Sequence, residues 1–338
     1  MRLIIFALTA ALVFAQAPTK QGKVERIKVH GPSLEGNLEG DSPDREVSIY
    51  LPPSYANEPD RRYPVVYLLH GYTSTDLRWF GKDAAYKGEV GMDHALAAGT
   101  AKEMILVMPN AYTVYQGSMY SNSPVSGDWE GFIVNDLVSY VDSHYRTIAK
   151  AESRGLGGHS MGGYGGARIA MKYPYVFSAV YLQSSCCLGA NVNMRPEQFA
   201  AFDSIKTLDD LAKAGRGPNT LVAEAAAWSP NPKNPPFFVD LPVKDGKVQP
   251  SVVAKWAANA PLAMVDQYLG NLKKLKALGL EVGLQDSLIG SNKQLDETLS
   301  LFAVPHTFET YEGDHTNRIA ERTEKNMLPF FTRHLQFQ

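Results

Sequence analysis

The chain has 338 residues, enough for one large domain or two small ones with a substantial core in either case. Its 33 lysines and arginines nearly balance its 35 aspartates and glutamates, so no excess of one sign favours nucleic acid or an anionic membrane as a partner. The two cysteines, Cys186 and Cys187, are adjacent and cannot staple distant parts of the chain, so stability must rest on an ordinary core; a pair of buried thiols is expected, with a strained vicinal disulfide as the alternative.

The N-terminus has the form of a secretory signal peptide over residues 1–15. Met1-Arg2 supplies a short positive start, and the apolar residues 3–14 are too few to span a bilayer. Val13-Phe14-Ala15 offers small residues at cleavage spacing. A cut after Ala17 also fits, but it would leave Pro18 as the new terminus, so Ala15 is preferred. The expectation is a secreted or periplasmic protein with no membrane span, its remaining domain running over residues 24–338.

Residues 24–29 and 45–51 alternate apolar and polar side chains, as half-exposed antiparallel strands do. Residues 65–69 and 104–108 are unbroken apolar runs, the pattern of strands buried on both faces of a parallel sheet. Ile133, Leu137, Tyr140 and Val141 recur at helical spacing, which predicts an amphipathic helix over 130–145. A helix over 163–173, stopped by Pro174, precedes a strand over 177–182. Strands over 281–284 and 307–311 and a closing helix over 317–335 complete the rhythm. The predicted fold class is α/β: a mostly parallel, doubly wound sheet with an antiparallel N-terminal start.

Residues 188–279 break that rhythm. They carry helical patches at 194–214 and 219–228, a proline-rich run at 229–238 and a turn at 244–247. Trp228, Phe237, Phe238 and Trp256 are too apolar for a flexible linker. A structured, cap-like insertion after the sixth strand, over the sheet edge where open α/β sheets bind ligands, accounts for them.

The chemistry concentrates at Gly155-Leu156-Gly157-Gly158-His159-Ser160-Met161-Gly162-Gly163. Gly158 to Gly162 fits the Gly-x-Ser-x-Gly elbow, in which a strand reverses into a helix and leaves the serine hydroxyl at the tip. Side chains two residues to either side would collide, and glycine has no Cβ to do so. A serine needs a base, and the base needs a carboxylate to orient it. Three histidines follow Ser160. His315 lies directly after the last predicted strand, whereas His306 precedes that strand and His334 sits near the end of the final helix. His315 is therefore the candidate base. Asp286 follows the strand over 281–284 and is the candidate acid, with Glu281, Asp296 and Asp314 as alternatives. The N–H groups of Met161 and of Tyr72, in Leu68-Leu69-His70-Gly71-Tyr72, are candidate oxyanion donors, while His70 is expected to brace that loop. Tyr120, Trp129 and the aromatics of the insertion are candidates for lining a pocket, with core packing as their alternative. The histidines and cysteines show no metal-ligand spacing and the glycines no phosphate-loop or dinucleotide pattern. No cofactor and no metal are expected.

Taken together, His70-Gly71, Trp129-Glu130-Gly131-Phe132-Ile133, His159-Ser160-Met161-Gly162-Gly163 and the late Gly313-Asp314-His315 resemble the esterases of the esterase D type. That group includes S-formylglutathione hydrolases, feruloyl and acetyl-xylan esterases, enterochelin-esterase-like proteins and mycolyltransferases. The resemblance covers residues 40–338 apart from the insertion. It implies an α/β-hydrolase fold and a Ser-acid-His triad carried by Ser160, Asp286 and His315; Gly283-Leu284-Gln285-Asp286 keeps the Gly-x-x-Asp spacing of the acid loop. The implied activity is hydrolysis of carboxylic esters, with acetyl, feruloyl or other short acyl groups on small molecules or carbohydrate as substrates. Transfer of the acyl group to a sugar, and a non-catalytic binding protein on a hydrolase scaffold, are the alternatives.

Overall fold

The computed structural model describes residues 21–81, 84–189 and 197–338; the signal peptide expected over residues 1–15 lies outside them. No helix among the described residues is long and apolar enough to cross a membrane.

Eight strands form one sheet: β1 (Lys23–His30), β2 (Asp44–Leu51), β3 (Val65–Leu69), β4 (Ile105–Pro109), β5 (Arg154–His159), β6 (Ala179–Gln183), β7 (Ala277–Gly283) and β8 (Thr307–Tyr311). Their order across the sheet is β1-β2-β4-β3-β5-β6-β7-β8. β1 pairs antiparallel with β2 and β2 antiparallel with β4; every later pairing is parallel. The α/β class with an antiparallel start is thus the observed architecture. From β3 the chain steps outward to β4, then crosses to the other side of β3 for β5. The strand order therefore reverses between β3 and β5, and the crevice at such a reversal is where open α/β sheets bind ligands.

The apolar runs divide cleanly between the two faces. Val65, Tyr67 and Leu69 of β3, with Ile105 and Val107 of β4, enter one buried cluster. Val66 and Leu68, with Leu106 and Met108, enter a second on the opposite face. This is the period-2 alternation of a strand covered on both sides. The second cluster is closed by α1 (Gly88–Ala97), through Met92 and Ala95, and by the C-terminal helical stretch over 319–334, through Ile319, Met327, Phe330 and Phe331. The first is closed by the helical stretch α2 over 129–144, by α3 (Met161–Lys172) and by the insertion.

Two of these helices are wound more loosely at their centres, at Phe132–Leu137 and Thr323–Met327. Pro329 follows the second of these. A proline lacks an N–H and its ring crowds the carbonyl four residues back, so a widened turn there keeps the helix continuous.

The insertion follows β6, the sixth strand of the sheet in chain order. It contains α4 (Arg216–Trp228), a two-stranded hairpin (Val243–Lys244 with Lys247–Val248) and α5 (Pro250–Asn259). The hairpin turn holds Asp245 at φ 52° and Gly246 at φ 68°, the left-handed pair that a tight two-residue turn demands. Val222, Ala223, Ala226, Trp228, Val252 and Trp256 share the first buried cluster with β3 and α3. Polar ties add to this packing: Tyr115 donates to the Phe237 carbonyl at 3.1 Å and Tyr164 to the Asn259 carbonyl at 3.0 Å. β7 begins at Ala277, earlier than the strand expected over 281–284, because Leu278 and Leu280 are buried in register with β6.

Candidate active site

Ser160 stands between β5 and α3 with φ 58° and ψ −113°, a left-handed backbone that is strained for any residue but glycine. The surrounding glycines make that turn possible. A Cβ on Gly158 would lie 2.3 Å from the Gly162 carbonyl oxygen, and one on Gly162 would lie 2.2 Å from that of Leu69. Both obstacles are backbone, so neither can move aside. The turn is further held by Ser160 N–H donating to Gln183 O at 3.0 Å, and by its carbonyl accepting from Tyr164 N–H and Cys186 N–H.

Three loops at one edge of the sheet converge here. His315, on the loop after β8, places Nε2 2.9 Å from Ser160 Oγ. Its Nδ1 lies 2.8 Å from Asp286 Oδ2, on the loop after β7. Asp286 is buried, and its second oxygen accepts from Leu288 N–H at 2.9 Å. Burial alone would raise this carboxyl. The hydrogen bonds from His315 and from the Leu288 N–H outweigh it and hold Asp286 below the ordinary carboxylate range. The three candidates singled out in the sequence are thus joined in one hydrogen-bonded chain.

The alternatives are engaged elsewhere. Glu281 is buried and bound by Tyr181, Gln183 and Arg322. Asp296 pairs with His306 at 2.8 Å. Asp314 accepts from Thr316 N–H and Asn317 N–H of its own turn. His334 packs on Phe330.

The loop after β3 lies against the serine: a Cβ on Gly71 would sit 3.3 Å from Ser160 Cβ. Among the described residues neither the Tyr72 N–H nor the Met161 N–H has an acceptor. Met161 opens α3, where helix N–H groups are unpaired by construction. His70 is fully buried; its Nδ1 lies 2.8 Å from Gly71 O and its Nε2 accepts from Ala111 N–H at 2.8 Å. Burial pushes this imidazole down to about 4, so it is a neutral ring pinning the loop.

The sequence motif includes His159 but assigns it no role. It is buried beside Ser160, with Nδ1 2.8 Å from the Tyr86 hydroxyl and Nε2 2.8 Å from the His315 carbonyl oxygen. Burial, reinforced by the neighbouring His315, pushes it down to about 3. The neutral ring must then donate from Nε2 and accept the Tyr86 hydroxyl at Nδ1. It fixes the backbone that carries His315. Its position inside the elbow motif was the only available signal.

Tyr120 and Trp129 do not line the site. Both are fully buried. The Tyr120 hydroxyl is shared between the N–H and carbonyl of His70, and Trp129 Nε1 donates to Ser126 O at 2.8 Å. Bulky rings with a polar tip pair that tip inside the core, and these two brace the loop after β3 and the start of α2. A cavity of about 500 Å³ opens instead between Ser160 and the insertion, with Tyr72, Met119, Cys187, Glu224, Trp228 and Trp256 in its wall. Arg216, Thr220 and Glu224 recur every four residues and give the cavity one face of α4. Glu224 is half-buried, and desolvation pushes its carboxyl up to about 7. That polar stripe in an alanine-rich helix was legible as a pattern, though nothing in it announced a cavity. Phe237 and Phe238, also candidates, do not reach the cavity.

Residues 42–319 match the family model described as "Putative esterase". The chain belongs to this family. Among curated relatives, this esterase-family chain is 36% identical over 133 residues to Esterase Rv1288 of Mycobacterium tuberculosis (strain H37Rv), a match covering 38% of the chain and 26% of the relative. It is 28% identical over 137 residues to an endo-1,4-beta-xylanase/feruloyl esterase of Xylanibacter ruminicola, covering 38% of the chain and 18% of that protein. The chain thus spans about a quarter or less of the curated relatives it matches. Among solved structures it is similar to a ferulic acid esterase, with a TM-score of 0.68, 22% identity, and coverage of 93% of this chain and 99% of that one. It is also similar to FphF, a fluorophosphonate-binding serine hydrolase of Staphylococcus aureus, with a TM-score of 0.63, 18% identity, and coverage of 92% and 99%. These likenesses show that the esterase-family chain shares its α/β fold with those structures.

Proposed function

We propose that the chain is an exported serine esterase that hydrolyses carboxylic esters through an acyl-enzyme. The observation that carries this is the unbroken chain from Asp286 through His315 to Ser160, with links of 2.8 and 2.9 Å. In that arrangement His315 Nε2 takes the Ser160 proton as Oγ attacks the ester carbonyl, then delivers it to the leaving alkoxide. Asp286 holds Nδ1 protonated and stabilises the imidazolium. The N–H groups of Tyr72 and Met161 receive the oxyanion in a preformed site. Water, activated by the same histidine, then releases the acid.

Feruloyl and other short acyl esters, free or on carbohydrate, are the proposed substrates. Two relatives carry feruloyl or ferulic acid esterase in their names, and the cavity beside Ser160 has two tryptophans in its wall. Export rests on the apolar run of residues 3–14. It is checked by sequencing the N-terminus of the protein recovered outside the cytoplasm, where a start at Gln16 is expected.

The deciding experiment is turnover of p-nitrophenyl acetate and of a methyl ferulate by the wild type and by Ser160→Ala. Loss of the nucleophile should lower kcat by about 10⁴-fold or more, leaving only the contribution of binding and the oxyanion donors. Equal activity in both proteins, or an inert wild type on a broad ester panel, would remove the proposal.

A further inference from the structure

We propose that Cys186 and Cys187 close reversibly into a vicinal disulfide in the wall of the Ser160 cavity, a redox modification site that alters ester binding. The two Sγ atoms lie 2.9 Å apart, inside the contact distance of two sulfurs. Both residues are half-buried and both line the cavity, so a small disulfide can reach them by the route open to an ester.

The pair is coupled to the reacting serine through the backbone. Cys186 N–H donates to the Ser160 carbonyl at 3.2 Å, and the turn carrying the pair holds Ser184 at φ 46° and Cys187 at φ 56°. Adjacent Cα atoms are only about 3.8 Å apart, less than the roughly 4.4–6.8 Å of an ordinary disulfide. A bond closed across a single peptide is therefore strained, and strained disulfides are the easily reduced kind. The geometry suits a bond that is made and broken, and gives it no value as a staple.

Its formation needs an oxidant, and a low-molecular-weight disulfide of the glutathione class supplies one. Cys186 Sγ, as the thiolate, attacks one sulfur of that disulfide. The S–S bond breaks, and one small thiol leaves. Cys187 then resolves the mixed disulfide. Its neighbour Cys186 and burial together push its thiol well above the ordinary range, so it keeps its proton until the second step. Glu224 Oε1, 3.7 Å from Cys187 Sγ, is placed to accept that proton. Cys187 Sγ bonds to Cys186 Sγ, and the second small thiol leaves. In sum, two cysteines lose two electrons and two protons, and one small disulfide becomes two thiols.

Closure removes the S–H that Cys187 presents to Glu224. It also draws the two sulfurs together in a wall that an acyl or alcohol group would touch. The oxidised protein should therefore bind esters with a KM several-fold different from that of the reduced one.

The test equilibrates the purified protein across a series of oxidised-to-reduced glutathione ratios, quenches with acid, alkylates under denaturing conditions and weighs the peptide containing both cysteines. The expected result is a peptide lighter by two hydrogens that escapes alkylation, is restored by dithiothreitol, and is replaced by a glutathione adduct in Cys187→Ser. On p-nitrophenyl butyrate, KM should follow the oxidised fraction, and C186S/C187S should ignore the glutathione ratio. Two thiols alkylated at every ratio, or a stable glutathione adduct on the wild type, would overturn the site. A ring that forms without moving KM would overturn its effect on binding. The mass readout needs no turnover, so an inert enzyme would sink the esterase proposal and leave this one to be judged separately.

Discussion

His159 and His70 are buried and neutral, and this sets how the molecule responds to acid. Their pKa values lie at about 3 and about 4 in the fold, against about 6.5 in an unfolded chain. Below pH 6.5 the unfolded state therefore binds protons that the folded state refuses, and stability falls with pH. Each ring contributes a slope of about 1 kcal/mol per pH unit between pH 6 and its own folded value. Asp286 acts in a different window. Its carboxyl is held low, so its contribution is complete above the ordinary carboxylate pKa of about 3.9 and is lost only as pH falls through the lower folded value. Urea titrations from pH 7 to pH 4 should thus show a steep loss that His159→Gln makes shallower and Asp286→Asn leaves steep. For activity the order reverses. Asp286→Asn should cost about 10⁴-fold in kcat by losing the correct tautomer of His315, as read from p-nitrophenyl acetate turnover.

The turn from β5 into α3 depends on two backbones passing at contact. Gly162→Ala would put a methyl group 2.2 Å from the Leu69 carbonyl oxygen, so β3 and α3 would have to separate. Circular dichroism melting should show a large fall in Tm, and turnover should be lost with it; Gly217→Ala, where a Cβ meets nothing within 4 Å, should change neither. The far side of α3 is fixed by charge. Glu130 is buried and accepts from Arg168 at 2.8 Å and from Lys172 at 2.8 Å, while Arg168 also donates to Asn259 of the insertion at 3.0 Å. Glu130→Ala leaves the Arg168 guanidinium buried without its carboxylate, which should cost about 3–5 kcal/mol in denaturant unfolding. At this scale sequence patterns served unevenly. β3 was legible to the residue because Pro64 and His70-Gly71 bracket an unbroken apolar run. α1 was not, because it opens on Gly88, carries Gly91 and has no marked apolar stripe. Nothing in the sequence marks Glu130 as buried, since only the packing of α2 on α3 buries it. Ser160, His315 and Asp286 were legible because chain order and strand ends constrain a serine-histidine-acid chain tightly. Tyr120 and Trp129 were left open between pocket and core because an aromatic near a motif looks the same whether it lines a pocket or fills a core.

The whole molecule has a sheet with two buried faces, and the insertion belongs to one of them. Val222, Trp228 and Trp256 pack in the same cluster as β3 and α3, and Trp256 Nε1 donates to Ser229 Oγ at 2.8 Å in the interior. The insertion should therefore melt with the sheet. A single unfolding transition is expected by tryptophan fluorescence and far-ultraviolet dichroism alike; an early fluorescence transition, reporting Trp228 and Trp256, would show that it opens independently. Sequence revealed that these residues were too apolar for a linker. It could not reveal which face they cover, because no strand periodicity runs through them and their partners are far away in the chain.

Part of the wall that Ser160 faces comes from a stretch of chain well away from it. Ser160, Asp286 and His315 sit on the loops after β5, β7 and β8, whereas Arg216, Thr220 and Glu224 are spaced along one face of α4. If the proposed function holds, an inherited change on that helix face can alter which ester fits without displacing Ser160, so this architecture separates the evolution of selectivity from the upkeep of catalysis. Randomising those three positions should yield descendants with new acyl preferences at a far higher frequency than randomising the loops, and a laboratory selection on coloured esters would count them.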